Sequence, residues 1–332
     1  MPAFHKALLL FNPVSGGQLE RRAGVVGRIA EIFRRAGVEA QVEATRAKGS
    51  AGEQARAAIR GGCDAVFACG GDGTVFDVLQ GLAETPAMMG VVPLGTGNVL
   101  AQDLGLSVRP ERAAAQLLGF APRTISLGRI RSAGCSRFFT VAAGVGVHAE
   151  LIYRANALAK QRGGYLAYYA QGARLLLRHP FVRFPVEITT GDGTVIETTA
   201  LELVAMRVRS FGGPLRHWCP GSSLLSPELR LVLLRNASRA HIVRYTLQAL
   251  TGMAPFHGLE TPNADFSFVG ARSVSFHLPP ESASGLRVQA DGELLGPAPA
   301  EICIVPQALT LLIPPQAEWV PAASSLQGAS RL

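Results

Sequence analysis

The sequence predicts an α/β nucleotide-binding domain with a parallel sheet at its N-terminus, followed by a mainly antiparallel β-sandwich domain. Over about the first 125 residues, short apolar runs alternate with amphipathic helical stretches, the pattern of parallel strands covered by helices. Glycine-rich turns leave several of those runs. Beyond about Ile125, apolar residues recur at every second position between Gly- and Pro-rich turns, the mark of antiparallel strands.

The first element is a buried strand at Ala7–Phe11, running into the turn Asn12-Pro13-Val14-Ser15-Gly16-Gly17. A helix follows over Leu19–Ala36. Val25, Val26, Ile29, Ile32 and Phe33 make one apolar stripe, Arg21, Arg22, Arg28, Arg34 and Arg35 lie mostly off it, and Gly37 ends it. A second helix at about Ala51–Arg60 stops at Gly61-Gly62. The apolar strand Ala65–Cys69 then enters Gly70-Gly71-Asp72-Gly73-Thr74, with a helix expected from near Val75. The order repeats with Met89–Val92, the loop Pro93-Leu94-Gly95-Thr96-Gly97-Asn98 and a short helix through Leu104. The later strands are read at Phe138–Val141, Val182–Thr189, Val195–Met206 and Leu229–Leu234, with a strand pair in Glu301–Pro314. A helical stretch at about Ala149–Arg178, carrying Tyr165, Tyr168 and Tyr169, interrupts them and could cover the mouth of a cleft. The expected divisions are 1–125 and 126–315, with the C-terminal strand a candidate to return to the first domain, and a loose tail over 316–332.

A chain of 332 residues exceeds the usual size of one hydrophobic core, which supports two domains. With 48% hydrophobic and 17% charged residues it is globular rather than disordered. The apolar runs fall far short of the roughly 20 residues that cross a bilayer. Asn12-Pro13 also ends the first run too early for a signal peptide, so a cytoplasmic location is expected. A net charge of +8 and a pI near 9.7 favour anionic phosphates, on nucleotides or lipid headgroups. The arginines are dispersed and no aromatic–basic module appears, which argues against nucleic acid. Cys63, Cys69, Cys135, Cys219 and Cys303 lie far apart with no C-x-x-C pair, and read as reduced core thiols.

Phosphates are held by backbone amides, and glycine lets the chain come close enough to point several of them inward. Gly70, Gly71 and Gly73 fit that need, a following helix adds its positive end, and Thr74 offers a hydroxyl. Asp72 beside bound phosphates would hold magnesium, which bridges two groups that otherwise repel. The same four letters recur at Gly191-Asp192-Gly193-Thr194 between two alternating runs, where they read as a hairpin turn. The strand–loop–helix setting therefore carries the phosphate reading. Asn12–Gly17 and Pro93–Asn98 leave parallel strands at the same expected edge and would line one crevice with it.

Asn12-Pro13-x-Ser15-Gly16, Gly70-Gly71-Asp72-Gly73-Thr74, Pro93-Leu94-Gly95-Thr96-Gly97-Asn98 and Asp291-Gly292-Glu293, in this order, resemble the diacylglycerol kinase catalytic family, which includes sphingosine kinases and bacterial lipid kinases. The resemblance spans about residues 6–314. It implies ATP and Mg²⁺ in the first domain and a lipid acceptor in a cleft between the two. By position, Asn12, Pro13, Val14, Ser15, Gly16, Thr45, Gly71, Asp72, Gly73, Thr74, Val75, Phe76, Asp77, Gly95 and Thr96 would contact ATP. Thr45 follows Val42, where a strand should end, and Asp77 stands where the family usually shows Glu. Glu293 matches the family's general base, and a carboxylate is what a lipid hydroxyl needs as it attacks a γ-phosphate. Asp291 would support the site or the metal, and Asp72 completes the implied catalytic set.

Three further positions, all in the second domain, depart from the family. His148 replaces a usual Asp, Ser226-Pro227-Glu228-Leu229 replaces an Asp-Gly pattern that sometimes carries a structural magnesium, and Arg207 falls near a usual Asn, marking a changed headgroup or interdomain contact. The expected activity is ATP-dependent phosphorylation of diacylglycerol or a related lipid, by an enzyme bound peripherally to the inner membrane face. A kinase for a soluble acceptor such as NAD and an inactive lipid-binding regulator are the alternatives. A homodimer is left open.

Overall fold

The structure, a computed structural model, describes residues 2–13, 19–132, 134–146, 149, 181–209, 219, 221–235, 266–277 and 286–315. Val14, Ser15, Gly16 and Gly17, His148, Gly212-Gly213, the helical stretch at 150–178 and the tail from 316 lie outside these residues.

Four parallel strands make one end of a large sheet. β1 (Lys6–Phe11) lies between β2 (Glu39–Ala44) and β3 (Ala65–Gly70), and β4 (Met88–Pro93) follows β3. α1 (Leu19–Arg35) and α2 (Ala51–Arg60) flank β2 in the chain, and α3 (Asp72–Leu82) joins β3 to β4. α4 (Val99–Asp103) and α5 (Pro110–Leu117) come after β4. Every residue of β3 and all of β1 from Ala7 are buried, as expected of strands covered on both faces. Phe4, Phe33 and Phe67 pack with ring centroids 4.7–5.5 Å apart and fix α1 on the sheet. α2 and α3 cross at Gly52 and Gly81, where a side-chain carbon on either would strike the other helix's backbone. This close crossing brings the segment before α2 down to the first turn of α3.

The helix after the glycine loop begins at Asp72, earlier than the expected Val75. Gly71 alone separates it from β3, and its carbonyl accepts the N–H groups of Thr74 (2.9 Å) and Val75 (3.1 Å). Much of what reads as a glycine loop is therefore the first turn of α3. α5, opened by Pro110, has no counterpart in the sequence reading.

The sheet continues through the last strand. β16 (Ala300–Ile313) runs parallel to β4 at Thr310 and Leu311, and antiparallel to β5 (Ala121–Ser132) and β13 (Ser273–Phe276). β8 (Phe184–Thr189) and β9 (Val195–Ala200) extend it beyond β13, and β6 (Cys135–Phe139) pairs with β5. A second sheet, wholly antiparallel, has the order β12 (Phe266–Ala271), β11 (Leu229–Leu234), β10 (Glu202–Met206), β7 (Ala142–Val145), β14 (Arg287–Ala290) and β15 (Glu293–Pro297). Ile130, Phe139, Ile188, Leu203, Leu231 and Val288 come from both sheets and form one core between them.

Three expected strands are drawn differently. Phe138–Val141 is a corner between β6 in one sheet and β7 in the other, because the amides of Thr140 and Val141 leave the ladder to bind the Asp291 carboxylate. Val195–Met206 divides at Leu201 into β9 and β10, and its chain likewise changes sheets there. Glu301–Pro314 is one strand rather than two. Its register against β5 shifts between Val305 and Leu309, where Pro306 has no N–H to give and Gln307 takes a φ of 49°, a bulge that bends the strand without ending it.

Candidate active site

The exits of the four parallel strands stand level, since Phe11 pairs with Ala44 and Cys69, and Gly70 with Pro93. Asn12, Thr45, Gly71 and Leu94 thus leave one rim, where ligands of open α/β sheets bind. Short bonds tie the exits together: Thr45 N–H donates to the Phe11 carbonyl (2.8 Å) and Leu94 N–H to the Gly70 carbonyl (2.9 Å). Gly71 and Gly95 meet backbone to backbone, and a Cβ on Gly71 would lie 3.2 Å from Gly95 Cα. From α1, Arg22 donates to the carbonyls of Asn12 (3.5 Å) and Leu94 (3.2 Å), clasping two of the loops.

Asp72 is the link within this rim. Its carboxylate accepts the N–H groups of Asn98 (2.9 Å) and Val99 (2.7 Å), so it caps α4 from a neighbouring helix. Asn98, at a φ of 50°, closes the loop by exchanging side-chain hydrogen bonds of 2.9 and 2.8 Å with the Gly95 backbone. Burial raises the Asp72 carboxyl above its usual value, and the Val99 and Asn98 amides pull it back. Thr74 is 7% exposed, its side chain turned onto Gly70. Val75 is buried in the first core and Phe76 in the sandwich core, which leaves their backbones as the parts that can face a ligand. Gln80 completes the tie between α3 and the sandwich, exchanging hydrogen bonds of 2.9 Å with both backbone groups of Phe138.

The second half contributes one hairpin. Asp291 and Gly292 turn β14 into β15 with φ of 46° and 85°, the two positive values a tight two-residue hairpin requires. Glu293 is the first residue after the turn, and its Oε1 lies 3.4 Å from where a Cβ on Gly73 would stand. The hairpin and the first turn of α3 therefore face each other, bringing Glu293 to the Gly70–Thr74 segment. Asp291 points the other way. Its carboxylate accepts the N–H groups of Thr140 (2.9 Å), Val141 (2.9 Å) and Ala142 (3.0 Å) and the Thr140 hydroxyl (3.2 Å). Burial pushes this carboxyl up to about 6, against those four donors. Asp291 anchors the turn that presents Glu293, and its lone pairs are already engaged.

Asp77, in the second turn of α3, accepts the Gly49 N–H (3.1 Å). Its carboxyl is raised, first by burial and further by the nearby Glu293, while Gly49, Lys48 and Arg137 pull it down. Lys48 Nζ sits 3.1 Å from Glu293 Oε2. No sequence motif marks Lys48, Arg22 or Gln80 as part of the site. Lys48 carried one available signal, a cation just past the strand exit that also bears Thr45.

Magnesium fits this site poorly as a resident ion. Both oxygens of Asp72 accept amides, those of Asp291 accept four donors, and among the described residues no group of three or more His, Cys, Asp or Glu stands ready to hold a metal. Arg207 is an internal residue rather than a cleft-lining one. It is fully buried and donates to the carbonyls of Leu224 (2.7 Å), Ser226 (3.0 Å), Glu228 (2.7 Å) and Ser126 (2.9 Å), with burial lowering its pKa to about 10. It locks the Leu224–Glu228 turn onto β5 from inside.

A glycine-lined rim on a parallel sheet, with one carboxylate brought across from a β-sandwich, is the architecture of a phosphoryl-transfer enzyme. Residues 6–130 match the diacylglycerol kinase catalytic domain, and residues 140–313 match the YegS C-terminal NAD kinase beta sandwich-like domain. A diacylglycerol kinase of Mycobacterium tuberculosis is 32% identical over 317 residues, covering 93% of this chain and 95% of its own. One from Bacillus subtilis is 30% identical over 251 residues, covering 74% and 79%. The crystal structure of a diacylglycerol kinase from Bacillus anthracis str. Sterne superposes with a TM-score of 0.69 at 22% identity, over 95% of this chain and 99% of that one, and supports the fold. The chain is a kinase, and its family implies the use of ATP. It belongs to the diacylglycerol kinase catalytic family, a family of lipid kinases. Among the described residues, no helix is long and apolar enough to cross a membrane.

Proposed function

We propose that this kinase transfers the γ-phosphate of ATP to a hydroxyl of diacylglycerol or a related lipid, with Glu293 as general base. The observation that carries this is the Glu293 carboxylate standing over Gly73 in the first turn of α3. Asn12 and Pro13, Thr45, the backbone of Gly71–Asp77, and Gly95 with Thr96 would form the triphosphate side of the crevice, with Val14, Ser15 and Gly16 assigned to it by their motif alone. The positive end of α3 faces the same rim. The acceptor oxygen attacks the γ-phosphorus, its proton passes to Glu293, and the bond from the γ-phosphorus to the bridging oxygen breaks to release ADP. Asp72 shapes the rim by holding the Gly95–Val99 loop, and Asp291 positions the hairpin that bears the base. Any Mg²⁺ would be bound through the triphosphate rather than held by Asp72 or Asp291, and would supply charge neutralisation there. The acceptor lies in a bilayer, so turnover takes place at a membrane surface that the enzyme reaches peripherally.

The test is incubation of the purified protein with γ-labelled ATP, Mg²⁺ and diacylglycerol or sphingoid lipids in micelles, beside NAD, followed by extraction into organic solvent. Label is expected in the organic phase. In Glu293→Gln it should fall by about 10²–10⁴-fold while the far-UV spectrum stays unchanged. Label confined to NAD would refute the lipid acceptor, and normal turnover by the variant would refute the role of Glu293.

A further inference from the structure

Lys48 belongs to none of the motifs that mark the rim, yet among the described residues it is the cation paired with Glu293. The segment that carries it is pinned on both sides. Thr45 is bonded to Phe11, the Arg46 and Ala47 amides donate to Ser50 Oγ (3.1 and 3.0 Å), and the Gly49 amide donates to Asp77. The side chain itself is 85% exposed against 33% for Glu293, so the backbone is fixed and the ammonium can swing. One Glu293 oxygen faces Gly73 and the other faces Nζ at 3.1 Å. The cation therefore stands beside the carboxylate at the entrance to the phosphate rim.

A carboxylate that holds an ammonium has a lone pair engaged and is a poorer acceptor for a proton. An exposed pair of this kind contributes little, so exchange of partners costs little. A terminal phosphoryl group offers more negative charge and several oxygens, and charge-assisted bonds to it are the stronger ones. We infer that Lys48 is an exchangeable cation: it pairs with Glu293 when no γ-phosphate is present and moves to the γ-phosphoryl oxygens when ATP is bound. The move frees the base and neutralises the transferred group in one step. After transfer ADP offers no γ-phosphate, and Lys48 returns to Glu293. This rests on reading Glu293 as the general base.

Equilibrium binding separates the two ideas, because it needs no acceptor. Titrating Mg²⁺–ADP and a non-hydrolysable β,γ-imido ATP analogue into the full chain, Lys48→Met should weaken the analogue about tenfold and leave ADP unchanged. Lys48→Arg should restore most of the loss. Arg46→Met removes the same charge two residues away and should change neither nucleotide. Glu293→Gln should tighten the analogue where Lys48 is present and much less in the Lys48→Met background. Equal weakening of both nucleotides by Lys48→Met, no weakening of either, or additive effects of the two substitutions would overturn the exchange. Failure to phosphorylate any lipid would sink the acceptor assignment while leaving these binding results to be judged by themselves.

Discussion

Gly-Asp-Gly-Thr occurs twice in this chain, and the two copies are used in opposite ways. In the first, Asp72 opens α3 and its carboxylate is taken inward by the amides of Asn98 and Val99, so one side chain holds two loops of the crevice. In the second, Asp192 sits at the tip of the β8–β9 hairpin, fully open to solvent. It accepts the hydroxyl of Thr190 and the N–H of Thr194 (3.1 Å), bonds that never leave the turn. What differs is the next element. A helix that follows one residue after a buried strand directs the aspartate toward neighbouring loops, whereas a strand that folds straight back leaves it in water. Asp291-Gly292 lies between them, a hairpin turn like the second but with its carboxylate buried like the first.

The widest gap is expected from removing the first aspartate. Asp72→Ala orphans two amides at the start of α4 and should cost about 2 kcal/mol of stability, read by urea denaturation. It should also lower kcat/KM by about 10²-fold, because loops that shift by an ångström no longer fit the triphosphate. An effect on stability with unchanged kinetics would show that the Gly95–Val99 loop is not part of the ATP site.

Asp291 sharpens the comparison through pH. Its carboxyl titrates near 6 in the folded chain against 3.8 ordinarily, so between these values the folded state binds more protons than the unfolded one. Stability should therefore fall as pH rises from about 4 to about 6 and then level, by up to about 3 kcal/mol from this group. Other acids titrate in the same range, so the measurement is the difference in denaturation midpoint between the wild type and Asp291→Asn from pH 4 to 7. A flat difference would mean that the four donors outweigh burial.

The division between legible and illegible parts follows the same logic. Alternating apolar runs and glycine turns showed the parallel strands and their crevice, because both are local properties of sequence. The corners at Thr140–Val141 and Leu201 were hidden, since alternation continues across them while the chain changes sheets. Asp291 gave no local sign that its partners lie about 150 residues earlier. Glu293 was marked by family resemblance alone, and an exposed lysine in a polar loop looks like any other until the fold brings Lys48 to it from 245 residues away. Arg207 reads in the sequence as a changed headgroup or interdomain contact and is an internal clamp, because which carbonyls converge on a guanidinium is decided by tertiary packing.

Glycine substitutions give a smaller contrast. A Cβ on Gly95 would run into Gly71 Cα and stand 2.9 Å from Asn98 Oδ1, backbone and a fixed amide that cannot give way. Gly95→Ala should raise the KM for ATP about tenfold or more, by prising two loops apart. Gly193 has open space around its Cβ position but a φ of 91°, so Gly193→Ala should cost about 1 kcal/mol of stability with ATP kinetics unchanged.

The least effect belongs to Asp192→Ala. Its carboxyl is held down to about 2, first by the Thr190 hydroxyl and then by Thr194, yet the group is wholly in water. A low pKa at such a place records local hydrogen bonds that solvent replaces when they are lost. The hairpin keeps its backbone bonds, Thr190 N–H to the Thr194 carbonyl (2.9 Å) and Gly193 N–H to the Thr190 carbonyl (3.1 Å). Melting temperature and kcat/KM measured side by side with Asp72→Ala should stay at wild-type values. A loss of turnover in Asp192→Ala comparable to that of Asp72→Ala would mean that the β8–β9 tip takes part in substrate handling, and that the two copies differ less than their settings say.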